Sequence, residues 1–380
     1  MSDTFSGYVR PDGRVGVRDH VLVLAMRSVA NVAARRAVAG LEGVVAVPQE
    51  LERPDQVDGE RVRRTLAGFA TNPNVGGLVV VGLDASDGWL VEHAAESGMP
   101  CAFVTLAEHR GTNGAAEAAA AAASRLRAAA TTQRRSVSAS ELIVGLECGG
   151  SDALSGITAN PALGVASDRL VAGGGGSILA EIPELIGAEE SLAARAISSE
   201  VAAAVRGVID DFERSIRDLG VDVRGAQPSP GNQAGGLTTI EEKALGAAKK
   251  GGKGPISGVL DYAERCPRGG LYIMDTPGQD IEQMVGMVAG GAQIVAFTTG
   301  RGTPTGSPIA PCLKIATNSD VAARLVGDID LDAGVILAGV ESVASMGEVI
   351  YARLLAVASG ELTAAERNGE RQFALSVVGT

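Results

Sequence analysis

The sequence predicts an α/β protein in two parts, a Rossmann-like parallel-sheet domain over residues 1–135 and a larger α/β domain over 136–380 whose strand order the pattern leaves open. Three observations predict it. Short apolar runs alternate with alanine-rich or amphipathic stretches from residue 20 to residue 130. Glycine is abundant, at 51 residues, yet has no fibrous period and gathers at the ends of the apolar runs, where it marks loops. A polar stretch, TTQRRSVSAS (131–140), then reads as a linker before the alternation resumes.

The elements follow in order. HVLVLAM (20–26) reads as a buried strand and residues 29–40 as the helix after it. VVAV (44–47), a helix from Gly59 to Phe69 and GLVVVG (77–82) repeat the unit. A helix over 89–97, the strand CAFVTL (101–106) and an alanine-rich helix over 114–130 complete the first part. In the second part LIVGL (142–146) is a strand, 160–171 a helix, GGGGSILAE (173–181) a turn and 188–218 one long helix. GGLYIMD, AQIVAFT and CLKIAT are later strands, with helices over 280–289 and near 341–359. The polar last twenty residues are expected to cap the second part.

Composition narrows the function. Lys and Arg total 33 against 45 Asp and Glu, a formal net charge of −12, which argues against nucleic-acid binding but leaves room for a local basic pocket. No uncharged apolar run reaches bilayer length and the N-terminus lacks an apolar signal region, so a cytoplasmic protein without a membrane partner is expected. Cys101, Cys148, Cys266 and Cys312 are widely spaced and form neither a disulfide framework nor a zinc pattern. With His20, His93 and His109 the only histidines, any metal site must lean on carboxylates, backbone oxygens, water or at most one or two histidines.

Four segments carry candidate chemistry. GLECGGSDALSGITANPALG (145–164) sets Glu147, Cys148, Ser151, Asp152 and Asn160 just beyond a strand, the usual ligand face of an α/β sheet. In GLTTIEEKALG (236–246), Thr238 or Thr239 caps a helix whose first turn holds Glu241, Glu242 and Lys243, so hydroxyl, acid and amine meet in one turn. TTGRGTPTGSPIAP (298–311) is a shaped loop offering Thr299, Arg301, Thr303, Thr305 and Ser307 to a small anion; it matches neither the dinucleotide nor the phosphate-loop pattern. Asp275, after LYIM, is an oxygen ligand or a turn residue, and GYVRPDGRVGVRDH (7–20) brings Arg10, Arg14, Arg18 and His20 to a substrate carboxylate or a domain interface.

These stretches, with GGSILAEIPELIGAE, PISGVLDYAE, GLYIMDTPG and ASGELTAAERNG, resemble the large catalytic part of the altronate and galactarate dehydratase family, in order and over nearly the whole chain. The resemblance implies a divalent-metal-dependent lyase, with Fe2+, Mn2+ or Mg2+, that removes water from a 2,3-dihydroxy aldonate or aldarate to give a 2-keto-3-deoxy acid. It implies the sulfolactate sulfo-lyase large subunit, or a noncatalytic sugar-acid-binding subunit, as alternatives. Members carry or pair with a small SAF domain; this chain begins at the large-part motif, so a separate SAF subunit is an expected partner, and a homo-oligomer is compatible with the sequence.

Within that reading Lys243 or His20 is the base, Glu241 or Glu242 the acid, and Arg18 or Arg301 the carboxylate clamp. Ser151, Asn160, Thr238, Thr239, Thr299 and Thr303 meet substrate hydroxyls, and Glu147, Asp152 and Asp275 are the metal candidates. The chain departs from the family in its first part. Where relatives carry cysteines and a histidine after the first three strands, it reads MRSVAN (26–31), VPQELERPDQ (47–56) and VGLDASD (81–87), offering Arg27, Glu50, Arg53, Asp84 and Asp87 instead.

Overall fold

The structure, a computed structural model, describes residues 3–52, 58–130 and 132–377. The chain opens with β1 (Thr4–Val9) and β2 (Val15–Gly16), then β3 (His20–Ala25), α1 (Asn31–Ala37), β4 (Val44–Val47), α2 (Gly59–Ala70), β5 (Val75–Gly82), α3 (Trp89–Glu96), β6 (Cys101–Thr105) and α4 (Thr112–Ala129). Strands β4-β3-β5-β6 form an all-parallel sheet. Alternation along β3 explains its two covered faces: Val21, Val23 and Ala25 meet the alanines of α1 and α4, while Leu22, Leu24 and Met26 meet Val62, Leu66 and Phe69 of α2 and Leu90 of α3. Alanines at 115, 119, 122 and 123 keep one stripe of α4 small, which lets α1 lie close against it.

The second unit comprises β8 (Ile143–Gly149), α5 (Ala159–Ala172), β9 (Gly176–Leu179), α6 (Glu189–Ala193), α7 (Ser199–Asp218), α8 (Val223–Ala226), α9 (Pro230–Ala234), α10 (Ile240–Ala248), β10 (Ile256–Leu260), β11 (Gly270–Met274), α11 (Asp280–Ala289), β12 (Ile294–Thr299), β13 (Cys312–Ala316), α12 (Ser319–Arg324), β14 (Leu331–Asp332), α13 (Val343–Ala358) and α14 (Ala364–Asn368). Its sheet is parallel throughout, in the order β10-β11-β9-β8-β12-β13-β14. The chain leaves β8 toward β9 on one side and returns at β12 on the other. A crevice therefore opens beyond the carboxyl ends of β8 and β12, where connections diverge.

Several sequence expectations change. The stretch read as a linker contains β7 (Arg134–Ser138), which pairs antiparallel with β1 in a β2-β1-β7 sheet; Thr131 lies outside the described residues. GGGGSILAE is more than a turn, because Gly176–Leu179 within it form β9, an interior strand between β11 and β8. The long helix over 188–218 is two helices: Ser198 caps α7 through the amide of Val201, and Ala196 bridges to Ile256 at the start of β10. The C-terminal segment reaches past the second unit, setting Phe373 edge-on to Phe69 of α2 at 4.9 Å between ring centroids.

Two asparagines join the units. Asn72 Nδ2 donates to the carbonyls of Val288 (2.8 Å) and Ala292 (3.0 Å), and Asn74 Nδ2 to those of Gln293 (2.9 Å) and Ile309 (3.0 Å). Both side chains are fully buried, so each amide satisfies backbone oxygens of the second unit that water cannot reach.

Candidate active site

The crevice gathers acids and amines from five segments. Glu147 and Cys148 end β8, both buried. Just past β9, Glu181 adopts a left-handed backbone (φ 72°) while 1% exposed, a conformation that costs a non-glycine residue about 1–3 kcal/mol and is concentrated at functional sites. It is held there from both ends: its amide donates to Thr276 Oγ1 (2.7 Å), and its carboxylate accepts from the amide of Cys148 (3.2 Å) and from Lys250 Nζ. Glu184, one turn on, pairs with Lys243 Nζ at 2.8 Å and accepts from Cys148 Sγ at 3.3 Å. Lys243 also donates to Gln227 Oε1 and Asn232 Oδ1, each at 3.0 Å.

One atom pair is left unsatisfied. Glu147 Oε1 accepts from Gln283 Nε2 at 2.8 Å, but Glu147 Oε2 and Gln283 Oε1 are buried without partners among the described residues. Burial, followed by the negative charge of Asp280, holds the Glu147 carboxyl well above the usual range. Asp280 starts α11 and is half-buried; burial and then Glu184 push it up to about 6. Its Oδ2 lies 2.4 Å from where a Cβ on Gly149 would stand, so position 149 admits only glycine without displacing the acid. Burial likewise pushes the Cys148 thiol up to about 11.

Ligand atoms of Cys148, Glu181 and Glu184 all lie within 4.8 Å of one another, and among the described residues no other such group of acids, cysteines and histidines forms. A thiol with two carboxylates suits a divalent ion of intermediate softness, and the unpartnered Glu147 oxygen is the kind of buried atom such an ion relieves. The site is compatible with a divalent metal. Beside it, a cleft of about 240 Å³ runs between the 151–160 loop and α10, sharing Ser151 and Lys243 with the cluster.

The sequence-predicted residues distribute as follows. Glu147 and Lys243 are in the cluster, and Ser151 donates to Cys148 Sγ at 3.4 Å. Asn160 bridges Thr298 Oγ1 (2.6 Å) and the carbonyl of Gly246 (3.0 Å) on the cleft wall. Both oxygens of Asp152 are taken, by Ser155 and the amide of Leu154 on one side and by Thr317 and Asn318 on the other. Asp275 sits in a separate hollow with Asp261, Arg61 and Arg64. Thr239 caps α10, Thr238 donates to Glu242, and Glu241 is exposed beside Arg224.

Thr299 Oγ1 accepts from the amides of Arg301, Gly302 and Thr303, which explains the loop's shape. The Thr303 carbonyl accepts from Lys314 Nζ. Arg301 itself is exposed with no partner among the described residues. Arg18 grips Glu366 with two bonds and spends its other donors on the carbonyls of Val17, Val357 and Glu361. His20 begins β3, where burial and then Arg18 push its pKa down to about 4.

At the first-unit strand ends, Arg27 pairs with Asp87 at 2.8 Å, Asp84 caps Ser86 and Glu50 is exposed, while Arg53 lies outside the described residues. Arg27, Asp84 and Asp87 bond to one another and to Ser86 rather than forming a ligand set. The reading from sequence missed Glu181, Glu184, Lys250, Asp280 and Gln283. The available signal was AEIPE after an apolar strand, two acids around a proline.

A parallel sheet with paired buried acids and amines at its crossover point is the build of an α/β enzyme for a small charged substrate. Residues 139–380 match the model of the D-galactarate/altronate dehydratase C-terminal domain, and residues 7–131 that of the D-galactarate dehydratase/altronate hydrolase second domain. The (2R)-sulfolactate sulfo-lyase subunit beta of Chromohalobacter salexigens is 35% identical over 98% of the chain and 97% of that subunit. Altronate dehydratases of Bacillus subtilis and Escherichia coli are 34% and 33% identical over 98% and 97% of the chain, and over 77% and 76% of their own lengths. The chain belongs to the D-galactarate/altronate dehydratase family. Among the described residues no helix is long and apolar enough to cross a membrane.

Proposed function

We propose that the protein is a cytoplasmic sugar-acid dehydratase that converts a 2,3-dihydroxy aldonate or aldarate to a 2-keto-3-deoxy acid. The observation that carries the reading is the buried Glu147–Cys148–Glu181–Glu184 cluster with Lys243 and Lys250, set at the β8/β12 crevice of a chain matched along its length by dehydratases. Four free cysteines, three of them buried, suit a reducing compartment.

Dehydration removes the C2 proton, leaves negative charge on the carboxylate as an enediolate, and expels the C3 hydroxyl; the enol then ketonises. Asp280, beside the cluster and pushed up to about 6 by burial and then Glu184, takes the C2 proton. Lys243, held by Glu184 and Asn232, donates a proton to the departing hydroxyl so that water leaves, and proton exchange with Asp280 resets the pair. Arg301, at the loop edge, receives the substrate carboxylate through its planar donors. Cys148, Glu181 and Glu184 would hold Fe2+, Mn2+ or Mg2+, which supplies positive charge for the electron-rich carboxylate. Asn160 and Ser151 face the substrate hydroxyls from the cleft wall.

A second reading, sulfo-lyase chemistry with sulfite as leaving group, is favoured by the end-to-end match to a sulfo-lyase beta subunit, and would bring a separate small subunit as partner. The test is turnover of aldonates, aldarates and sulfolactate by anaerobically purified protein, with divalent metal and with or without an SAF-domain subunit. Metal-dependent keto-acid formation supports dehydration, and sulfite release selects the second reading. Binding without product across the panel would overturn both.

A further inference from the structure

A second cavity, of about 790 Å³, lies at the opposite end of the seven-stranded sheet. Glu141 and Ile143 at the start of β8, Arg268 before β11 and Gln293 before β12 form one wall; α2, α3 and the turn carrying Arg14 form the other. The length of β8 separates it from the catalytic cluster by roughly 20 Å at about 3.3 Å per residue. Nothing in the dehydration chemistry uses it.

Its charges are unevenly satisfied. Arg14 is held by Asp12 at 2.6 Å and by the carbonyl of Thr71 at 2.7 Å, and Arg268 by Glu141. Glu264 accepts from the amide of Asp261. Arg265, which lines the same cavity as Arg14 and Arg268, has no hydrogen bond or ion pair among the described residues. Partial burial and then the like charge of Arg14 lower its pKa from the ordinary value; Asp12 opposes them, and Arg268 adds to the lowering. A guanidinium left in that position, in a chain of net charge −12, is stabilised by an incoming oxyanion that accepts from its planar fork. The volume falls within the 300–1,000 Å³ typical of metabolite sites, larger than a single inorganic ion needs.

We propose that this cavity is a second ligand site, distinct from the catalytic crevice, that takes a small multivalent oxyanion, a polycarboxylate or a phosphate-bearing metabolite, against Arg265, Arg14 and Arg268. Because its walls come from both sheet units, the ligand bridges them.

Calorimetric titration of the full chain in metal-free, low-salt buffer, with citrate and pyrophosphate as probes, tests it. Saturable binding of at least one probe is expected, weakened about tenfold or more by Arg265→Ala and by Arg268→Ala, and unchanged by Lys243→Met. Preference for citrate marks a carboxylate ligand and preference for pyrophosphate a phosphate-bearing one. Both replaced arginines are exposed, so unchanged thermal unfolding is expected of the variants and separates lost binding from lost fold. No saturable binding of either probe at millimolar concentration overturns the proposal, as does binding that Lys243→Met abolishes and Arg265→Ala leaves intact.

Discussion

Lys250→Met isolates the most buried charge pair in the molecule's active crevice. Lys250 is 0% and Glu181 1% exposed, and each is the other's ionic partner. Without the amine, Glu181 keeps only the Cys148 amide at 3.2 Å and a long contact from Gln283 at 3.4 Å. Leaving one member of a buried pair uncompensated typically costs about 3–5 kcal/mol. The carboxylate can escape by taking a proton, at about 1.4 kcal/mol for each pH unit above the ordinary glutamate range near 4.3, or roughly 3.7 kcal/mol at pH 7 and about 1 kcal/mol at pH 5. The loss should therefore be capped near 4 kcal/mol at pH 7. It should shrink as pH falls, because protonation is the relief. Urea unfolding of wild type and variant in chelator, at pH 7 and pH 5, measures both values, and Glu181→Gln with Lys250→Met should recover most of the loss. A cost below about 1 kcal/mol at pH 7, or one that does not diminish toward pH 5, would refute the reasoning.

Gly149→Ala places a Cβ 2.4 Å from Asp280 Oδ2 and 2.5 Å from the Phe297 ring; a destabilisation of about 1–3 kcal/mol is expected, with a larger drop in kcat than that loss of fold explains. Asp280→Asn should lower kcat by about 10²–10⁴. In the wild type kcat should fall as pH drops through about 6, where Asp280 takes a proton. Its carboxyl is raised in the folded state, so the stability it contributes is full below its ordinary pKa and lost as pH rises through 6. Asp280→Asn should accordingly raise Tm relative to wild type at pH 8. Arg18→Ala should cost about 3 kcal/mol by leaving the Glu366 carboxylate without its ion pair and the Glu361 carbonyl without its donor, with KM unchanged; a KM increase without destabilisation would return Arg18 to substrate binding. Cys148→Ser should lower bound divalent metal, read by elemental analysis, while leaving the far-ultraviolet circular dichroism unaltered.

The first unit was legible because its strands are runs of Val and Leu bounded by glycine, and its helices are alanine-rich between them: α2, α3 and α4 fall within a residue or two of the pattern. Strand β9 escaped because three glycines precede a four-residue strand that itself opens on a fourth, too short for periodicity to register. Strand β7 escaped because RRSVS is an exposed edge held by pairing with β1, a contact 130 residues away that no local pattern encodes. At the site, Glu147 and Lys243 stood next to recognisable strand-end and cap signals. Lys250 and Gln283 did not: each is a single polar residue on an otherwise ordinary element, and only the sheet order brings them to Glu181 and Glu147. Arg18 showed the opposite failure. Its position beside a strand suggested a clamp, while its partner Glu366 lies 348 residues further on.

That last contact has a consequence for how the protein is made. Strand β1 waits for residues 134–138, and Arg18 for Glu366; Phe69 acquires its Phe373 neighbour only when the chain is almost finished. On the ribosome the four-stranded sheet can form early, yet the apolar face of α2 stays uncovered until α11 emerges to pack against it, and its Phe69 ring contact waits for the end. A nascent chain stalled before α11 should consequently expose the α2 face to chaperones, and shortening the C-terminus should show as protease sensitivity around Phe69, far away in sequence from the cut.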